Sequence, residues 1–68
     1  MNYFKNNLNY FRKEVKLSQA QLAKLAGVSQ QCISEWEKGN TEPTLTYLWR
    51  LADIFDISVD VLIGRKDY

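Results

Sequence analysis

The stretch "GVSQQCISEWEKG", from Gly27 to Gly39, contains one short helix between two glycines. Ser29 stands where an N-cap is expected, and a rotation of about 100° per residue sorts the helix into two faces. The outer face carries only polar side chains, namely Gln30, Gln31, Ser34, Glu35 and Lys38. The inner face carries every apolar side chain, Cys32, Ile33 and Trp36, together with Glu37. The pattern predicts an amphipathic helix over residues 30–37 that buries Trp36 and exposes its glutamines.

The outer face of this helix has two interpretations. An ordinary surface helix shows the same pattern, although solvated faces usually favour lysine and glutamate. A glutamine amide, by contrast, offers a donor and an acceptor in one plane, which matches the N6 and N7 edge of adenine. Only Gly27-Val28-Ser29 separates this helix from the preceding one, and so short a turn is typical of a helix-turn-helix. The second helix of that motif enters the major groove by its N-terminal end, which makes Gln30 and Gln31 candidate base-reading residues.

Apolar spacing and capping residues predict two helices before this stretch. Helix 1 spans about residues 2–14 and buries one stripe of side chains, Phe4, Leu8, Phe11 and Val15. Helix 2 spans residues 19–26, follows a capping box of Ser18 and Gln21, and ends at Gly27. Its inner side is expected to carry Leu22, Ala23, Leu25 and Ala26.

Two further helices are predicted after Gly39. Helix 4 spans residues 45–56 and is capped by Thr44, and its buried stripe is Leu45, Leu48, Leu51, Ala52 and Phe55. Helix 5 spans residues 59–63 after the cap Ser58, and residues 65–68 form a tail. No segment alternates like a strand, so we expect one all-α domain over residues 1–68.

Composition excludes several classes of protein. With one cysteine and no histidine, the chain can form neither an internal disulfide framework nor a familiar zinc site. The usual general base is also missing, so we expect no enzyme, no metal and no cofactor. The N-terminus does not resemble a signal peptide and no apolar run of about 18 residues is present, so we expect a complete cytoplasmic protein without a membrane span.

The charges are distributed unevenly along the chain. The net charge is +1, but residues 1–40 contain six basic and three acidic residues, giving +3, whereas residues 41–68 contain three basic and five acidic residues, giving −2. We expect the first part to face an anion and the second part to face away from it.

The segment "LSQAQLAKLAGVSQQCISEWEKGNTEPTLTYLWRLADIFDISVDVLIG" resembles the helix-turn-helix domain of the phage repressor and Cro family, the Xre-type regulators. The resemblance covers about residues 8–64. It rests on Ser18-Gln19, Leu22-Ala23, the Gly27 turn, Ile33-Ser34, Glu37-Lys38-Gly39, Pro43, and Leu51-Ala52 with Phe55. It implies a compact five-helix, lambda-repressor-like DNA-binding domain whose helix-turn-helix is formed by helices 2 and 3.

The same resemblance implies a role for individual residues. Gln30, Gln31, Ser34 and Glu35 would read bases, and Ser18, Gln19, Lys38, Asn40 and Thr41 would contact phosphates. In the family, the glutamine at position 19 also braces the first glutamine of helix 3. Glu35 departs from the glutamine of the phage relatives; its carboxylate could accept from cytosine N4, yet it repels phosphates.

Arg12 and Glu37 are expected to play a structural part. Both face inward in the predicted helices, and the family commonly joins these positions in a partly buried salt bridge. A phosphate contact for Arg12 is the alternative.

Helices 4 and 5 carry more apolar residues than one buried stripe requires. Tyr47 and Ile54 are predicted to lie on the far side of helix 4, Trp49 at the edge of its stripe, and Val61 and Ile63 where polar residues would be usual. We predict that these five residues form a homodimer interface. The alternative is that some of them pack around helix 1.

These predictions together indicate a sequence-specific DNA-binding transcriptional regulator. We expect a repressor that binds double-stranded DNA at a palindromic operator as a homodimer, with no small-molecule ligand. An alternative is a protein-interaction module, such as an antitoxin or antirepressor-like partner with the same fold. Non-specific architectural DNA binding would need more lysine and arginine than a net charge of +1 supplies.

Overall fold

Five α-helices follow one another along residues 3–67, the part of the chain that the computed structural model describes. They are α1 (Phe4–Glu14), α2 (Gln19–Ala26), α3 (Gln30–Lys38), α4 (Leu45–Phe55) and α5 (Val59–Leu62). The predicted start of helix 1 at residue 2 and the end of the tail at residue 68 lie outside the described residues. Residues 3–67 contain no strand, which confirms the all-α prediction, and none of their helices is long and apolar enough to cross a membrane.

Serine side chains begin three of the helices, as predicted. Ser18 and Gln21 form a capping box, in which Gln21 N donates to Ser18 Oγ (3.0 Å) and Ser18 N donates to Gln21 Oε1 (2.8 Å). Ser29 and Ser58 cap α3 and α5 through single hydrogen bonds of 3.1 Å. Thr44 occupies the N-cap position of α4, but the prediction that its side chain caps the helix is wrong because its hydroxyl makes no such bond.

Helices α2, α3 and α4 each end at a residue whose backbone adopts the left-handed conformation. Gly27 (φ 76°) and Gly39 (φ 81°) adopt this conformation without the steric cost that a Cβ would add. Asp56 (φ 57°) adopts it after α4, so that helix ends one residue earlier than predicted. A Cβ on Gly39 would also lie 2.9 Å from Lys5 Cδ, which shows that the Lys5 side chain crosses the end of α3.

Each helix contributes one large, completely buried aliphatic side chain to a common core. These side chains are Leu8, Leu22, Ile33, Leu51 and Leu62. Burying one side chain of this size stabilises the fold by about 1.5–3 kcal/mol. Aromatic rings fill the space around them. Phe11 of α1 stacks on Phe55 of α4 with their ring centroids 6.0 Å apart, and Trp36 is only 4% exposed.

Three residues predicted to be buried are exposed. Val15 is 41% exposed because α1 ends at Glu14 and the chain turns away at Lys16, whose φ is 61°. Leu25 is 57% exposed, since it lies about 100° around α2 from the buried Ala26. Leu45 is 69% exposed because it is the first residue of α4, about 70° from the middle of the buried face.

An arginine connects α4 to the end of α2, directly before the turn of the helix-turn-helix. Arg50 Nη1 donates to the carbonyl oxygen of Ala26 (2.8 Å), and its guanidinium lies 5.5 Å from the ring centroid of Tyr47. Tyr47 in turn lies 5.9 Å from the ring centroid of Trp36. The prediction that Tyr47 lies on the far side of α4 is therefore wrong, since its ring packs between Arg50 and the core.

The carboxylate of Glu37 joins α3 to α1 and α2. Arg12 Nε donates to Glu37 Oε2 (2.7 Å) and Arg12 Nη2 to Glu37 Oε1 (3.2 Å), and the two side chains are only 12% and 7% exposed. Asn9 Nδ2 (3.0 Å) and Gln19 Nε2 (3.1 Å) also donate to Oε1. Arg12 Nη1 donates to the carbonyl oxygen of Leu17, in the loop between α1 and α2 (2.9 Å). Together these bonds fix α3 relative to α1 and α2.

These contacts determine the protonation state of Glu37. Burial of the carboxyl group acts to raise its pKa, but the hydrogen bonds of Arg12, Asn9 and Gln19 and the charge of Arg12 outweigh burial. The pKa of Glu37 is therefore lower than its usual value. Because the folded state favours the carboxylate, the stabilisation is complete above the unfolded-state pKa of about 4.3 and is lost as the pH falls through the folded-state pKa.

We predict that Glu37→Gln lowers the free energy of unfolding at pH 7 by about 3 kcal/mol, since it leaves the partly buried Arg12 without a counter-charge. The difference from the wild type should shrink as the pH falls below about 4.3, where the wild type loses the same charge. Urea unfolding followed by circular dichroism from pH 7 to pH 3 measures both effects.

Glu14→Gln is the matched control, because Glu14 is exposed and accepts one hydrogen bond from the Tyr10 hydroxyl within the same helix (2.9 Å). It should change stability little at any pH. A difference between Glu37→Gln and the wild type that stays constant down to pH 3 would contradict the proposed charge interaction.

Candidate nucleic-acid interface

The polar face of α3 is directed away from the core. Gln30, Gln31 and Lys38 are exposed, and Ser34 and Glu35 are half-buried. On the opposite face Ile33 is completely buried and Trp36 nearly so. The described structure covers neither glutamine, so α3 presents two amide groups at its N-terminal end, where a recognition helix contacts base edges.

Glu35 connects the outer face of α3 to the loop that follows. Gln31 Nε2 donates to Glu35 Oε1 (3.1 Å), and Asn40 Nδ2 donates to Glu35 Oε2 (2.6 Å). The pKa of Glu35 is lower than its usual value, chiefly because of the hydrogen bond from Asn40. Desolvation acts to raise this pKa, whereas the hydrogen bond from Gln31 and the charge of Lys38 lower it further. Glu35 is thus a carboxylate at neutral pH whose two oxygens each accept from the protein's own amides.

The residues predicted to contact phosphates occupy two neighbouring segments. Ser18 and Gln19 begin α2, whose free backbone N–H groups and dipole favour an anion. The Ser18 hydroxyl caps that helix. Gln19 is half-buried, and its amide nitrogen donates a hydrogen bond to the Glu37 carboxylate. The structure records no bond between Gln19 and Gln30. Lys38, Asn40 and Thr41 are exposed around Gly39, at the end of α3.

Two residues of α1 that were not predicted as site residues lie next to this surface. Asn9 donates to Glu37, and Lys5 is exposed with its aliphatic chain against Gly39, so that its charge lies near Lys38 and Asn40. Lys5, Asn9 and Arg12 are four and three residues apart, which places them on one stripe of α1. That spacing was visible in the sequence and indicates a polar stripe facing α3.

The five residues predicted to form a dimer interface differ in exposure. Trp49 is 64% exposed, but Tyr47, Ile54, Val61 and Ile63 are half-buried and pack against the core. The expectation that Ile54 lies on the far side of α4 is therefore wrong. Val61 lies beside α1, where Asn7 Nδ2 donates to its carbonyl oxygen (3.2 Å), in agreement with the alternative of packing around helix 1.

Trp49 has other apolar neighbours. It stands between two shallow grooves, one lined by Leu45 and Arg50 and the other by Ile57 and Val59. Leu45 was predicted to lie in the core, and Ile57 and Val59 were not among the residues predicted to form an interface. Leu45 and Trp49 are the large exposed apolar side chains of this face of α4, and Ile57 and Val59 beside Trp49 are half-buried.

The comparisons with known proteins agree with this geometry. The sequence profile of the helix-turn-helix family matches residues 8–62. The chain is 39% identical over 64 residues to the uncharacterised HTH-type transcriptional regulator MJ0272 of Methanocaldococcus jannaschii, covering 93% of this chain and 97% of that protein. It is 42% identical over 52 residues to repressor protein C2 of Salmonella phage P22, covering 76% of this chain but 24% of the repressor. It spans about half the length of several other curated relatives that it matches.

Solved structures show the same similarity. The P22 c2 repressor in complex with a synthetic operator superimposes with a TM-score of 0.83 at 37% identity, covering 87% of this chain and 89% of that one. The N-terminal DNA-binding domain of SinR from Bacillus subtilis superimposes with a TM-score of 0.87 at 26% identity over the whole of both chains. Hydroxypropylphosphonic acid epoxidase from S. wedmorenis contains the fold as well, but in only 31% of its chain (TM-score 0.79, 37% identity).

The matched segment contains the complete pair α2 and α3 with its glycine turn, and the curated relatives are named as transcriptional regulators and repressors rather than enzymes. The chain therefore belongs to the lambda-repressor-like, Xre-type helix-turn-helix family of DNA-binding transcriptional regulators.

Proposed function

We propose that this protein is a sequence-specific repressor that binds a palindromic operator as a homodimer. The observation that carries the proposal is the uncovered amide-bearing face of α3, on a fold that superimposes on the P22 repressor solved with its operator. Binding to double-stranded DNA would place the protein with the DNA in the cytoplasm.

The outer face of α3 supplies the proposed base contacts. Gln30 and Gln31 lie in the first turn and reach the base edges of the major groove, and Ser34 follows one turn later. Ser18, Gln19, Lys38, Asn40 and Thr41 would hold the phosphates on either side, together with Lys5. These phosphate contacts fix the position of α3 on the duplex, whereas the amides choose the sequence.

The size of the protein and the energy of the contacts favour a dimer. Three base contacts at about 1–3 kcal/mol each cannot select one site from a genome, and a second half-site doubles them. One copy measures 27 × 23 × 20 Å, so a single copy does not span two half-sites roughly 34 Å apart and a palindromic operator takes two copies. We place Trp49 at the centre of the interface, with Leu45, Ile57 and Val59 around it.

The alternative of a protein-interaction module receives less support. It would require an apolar or acidic outer face on α3, but that face carries two glutamines, a serine and a lysine. Its one carboxylate, Glu35, already accepts from Gln31 and Asn40. We therefore propose control by protein concentration, by dimerisation or by a separate protein, without a small-molecule ligand.

We predict that Gln30→Ala or Gln31→Ala weakens binding to the selected operator by about tenfold, because each removes an amide that hydrogen-bonds to a base edge. Binding to random duplex DNA, which depends on phosphates, should change much less. Fluorescence anisotropy with both duplexes at one salt concentration measures the ratio.

Asn6→Ala is the matched control, since Asn6 is an exposed amide on α1, about 100° around that helix from Lys5, which lies against Gly39. It should leave the ratio of operator to random binding unchanged. An equal loss on both duplexes for the glutamine variants would show that these side chains do not read bases.

We predict that Trp49→Glu shifts the protein from dimer to monomer, because a charge would replace the largest exposed apolar side chain of the proposed interface. Sedimentation equilibrium measures the association, and circular dichroism checks that helicity is retained. Val15→Glu, which adds the same charge at another exposed apolar residue, should sediment like the wild type. A Trp49→Glu variant that associates as strongly as the wild type would rule out this face.

A further inference from the structure

The amide of Gln31 is held in one orientation by Glu35. The two residues are four apart on α3, so their side chains are neighbours on one face. A carboxylate accepts hydrogen bonds and cannot donate them, so Glu35 Oε1 selects the nitrogen end of the Gln31 amide, at 3.1 Å. The nitrogen end is therefore drawn toward the C-terminus of α3, and the oxygen Oε1 of Gln31 is left on the opposite side.

Glu35 is itself fixed from the other direction. Asn40 Nδ2, in the loop after α3, donates to its second oxygen at 2.6 Å. Asn40 follows Gly39, whose left-handed conformation turns the chain back toward Glu35. The carboxylate thus has one donor on each oxygen, both supplied by the protein, and it connects the loop to Gln31.

The orientation of Gln31 restricts the bases it can pair with. Its oxygen can accept from an exocyclic amine, which adenine carries at N6 and cytosine at N4. Guanine presents two acceptors in the major groove, O6 and N7, and thymine presents the acceptor O4. An amide that offers its oxygen can therefore hydrogen-bond to adenine or cytosine. Against guanine or thymine, the amide oxygen would face another acceptor.

We propose that Glu35 is a positioning residue that orients Gln31 and thereby makes it select adenine or cytosine. The inference rests on the proposed operator binding and specifies the chemistry of one base position. It assigns Glu35 a role through Gln31, in place of a direct contact with cytosine N4.

The substitution Glu35→Gln tests the proposal with almost no change in shape. The new amide can turn its own NH2 group toward Gln31 Oε1, which frees Gln31 to offer its nitrogen to the DNA. Selection of binding sites from random duplexes should show wild-type enrichment of adenine or cytosine at one position of each half-site. With Glu35→Gln, the preference for these two bases over guanine and thymine at that position should fall about tenfold.

A double-mutant cycle is completed by two further variants, Gln31→Ala and Glu35→Gln/Gln31→Ala. Gln31→Ala should lose the preference at the same position, and adding Glu35→Gln should cause no further loss there. The other positions of the half-site should keep their preferences in every variant. Thermal unfolding of each variant checks that the fold is retained, which the exposure of this face favours.

The outcomes separate the inference from the proposed function. If the wild type enriches no sequence, operator binding itself fails. If the wild type enriches a sequence and Glu35→Gln keeps the same preference at the Gln31 position, the positioning role is overturned while operator binding stands. If Glu35→Gln loses base preference at a position that Gln31→Ala leaves intact, Glu35 reads its own base. If Glu35→Gln loses preference equally at all positions, Glu35 has only a structural role. Either outcome overturns the inference.

Discussion

The arrangement of the first three helices depends on the hydrogen bonds and the ion pair that the partly buried carboxylate of Glu37 makes. It lies on the inner face of α3 and accepts from Asn9 and Arg12 of α1 and from Gln19 of α2. An isolated carboxylate in such a place would be costly, and four donor groups offset that cost. Because the bonds come from two helices, α3 cannot rotate about its axis without breaking several of them. The direction of its outer face follows from this constraint.

The two glutamates of α3 serve opposite sides of one helix. Residues 35 and 37 are about 200° apart, so one carboxylate faces out and the other faces in. Both carboxylates accept hydrogen bonds from side-chain amides. Glu37 accepts from Gln19 of another helix, and Glu35 accepts from Gln31 and from Asn40 in the following loop. The same chemical group therefore holds the helix in place on one side and organises the proposed contact surface on the other.

Most of the fold could be predicted because its signals are local. The Ser18 capping box, the glycines after α2 and α3, and the apolar spacing of α1 depend on a few neighbouring residues. The direction of the outer face of α3 was predictable for the same reason, since periodicity alone separates Gln30 and Gln31 from Ile33 and Trp36.

What could not be predicted depends on contacts between distant residues. Nothing near Arg50 in the sequence indicates that it reaches the carbonyl oxygen of Ala26, 24 residues earlier. The exposure of Leu25 and Leu45 depends on where neighbouring helices end, and periodicity within one helix does not contain that information. The resemblance to the family supplied the pairing of Arg12 with Glu37, but not the bond of Asn9 to the same carboxylate or the position of Lys5 across Gly39.

The separation of the outer face of α3 from the core has a consequence for how new target preferences could evolve. Gln30 takes no part in the core, so it can be exchanged singly without loss of folding. Gln31 is different, because its amide is bonded to Glu35. Under the proposed positioning role, a change at residue 31 or at residue 35 alters the target at that position, so the two residues would evolve as one unit.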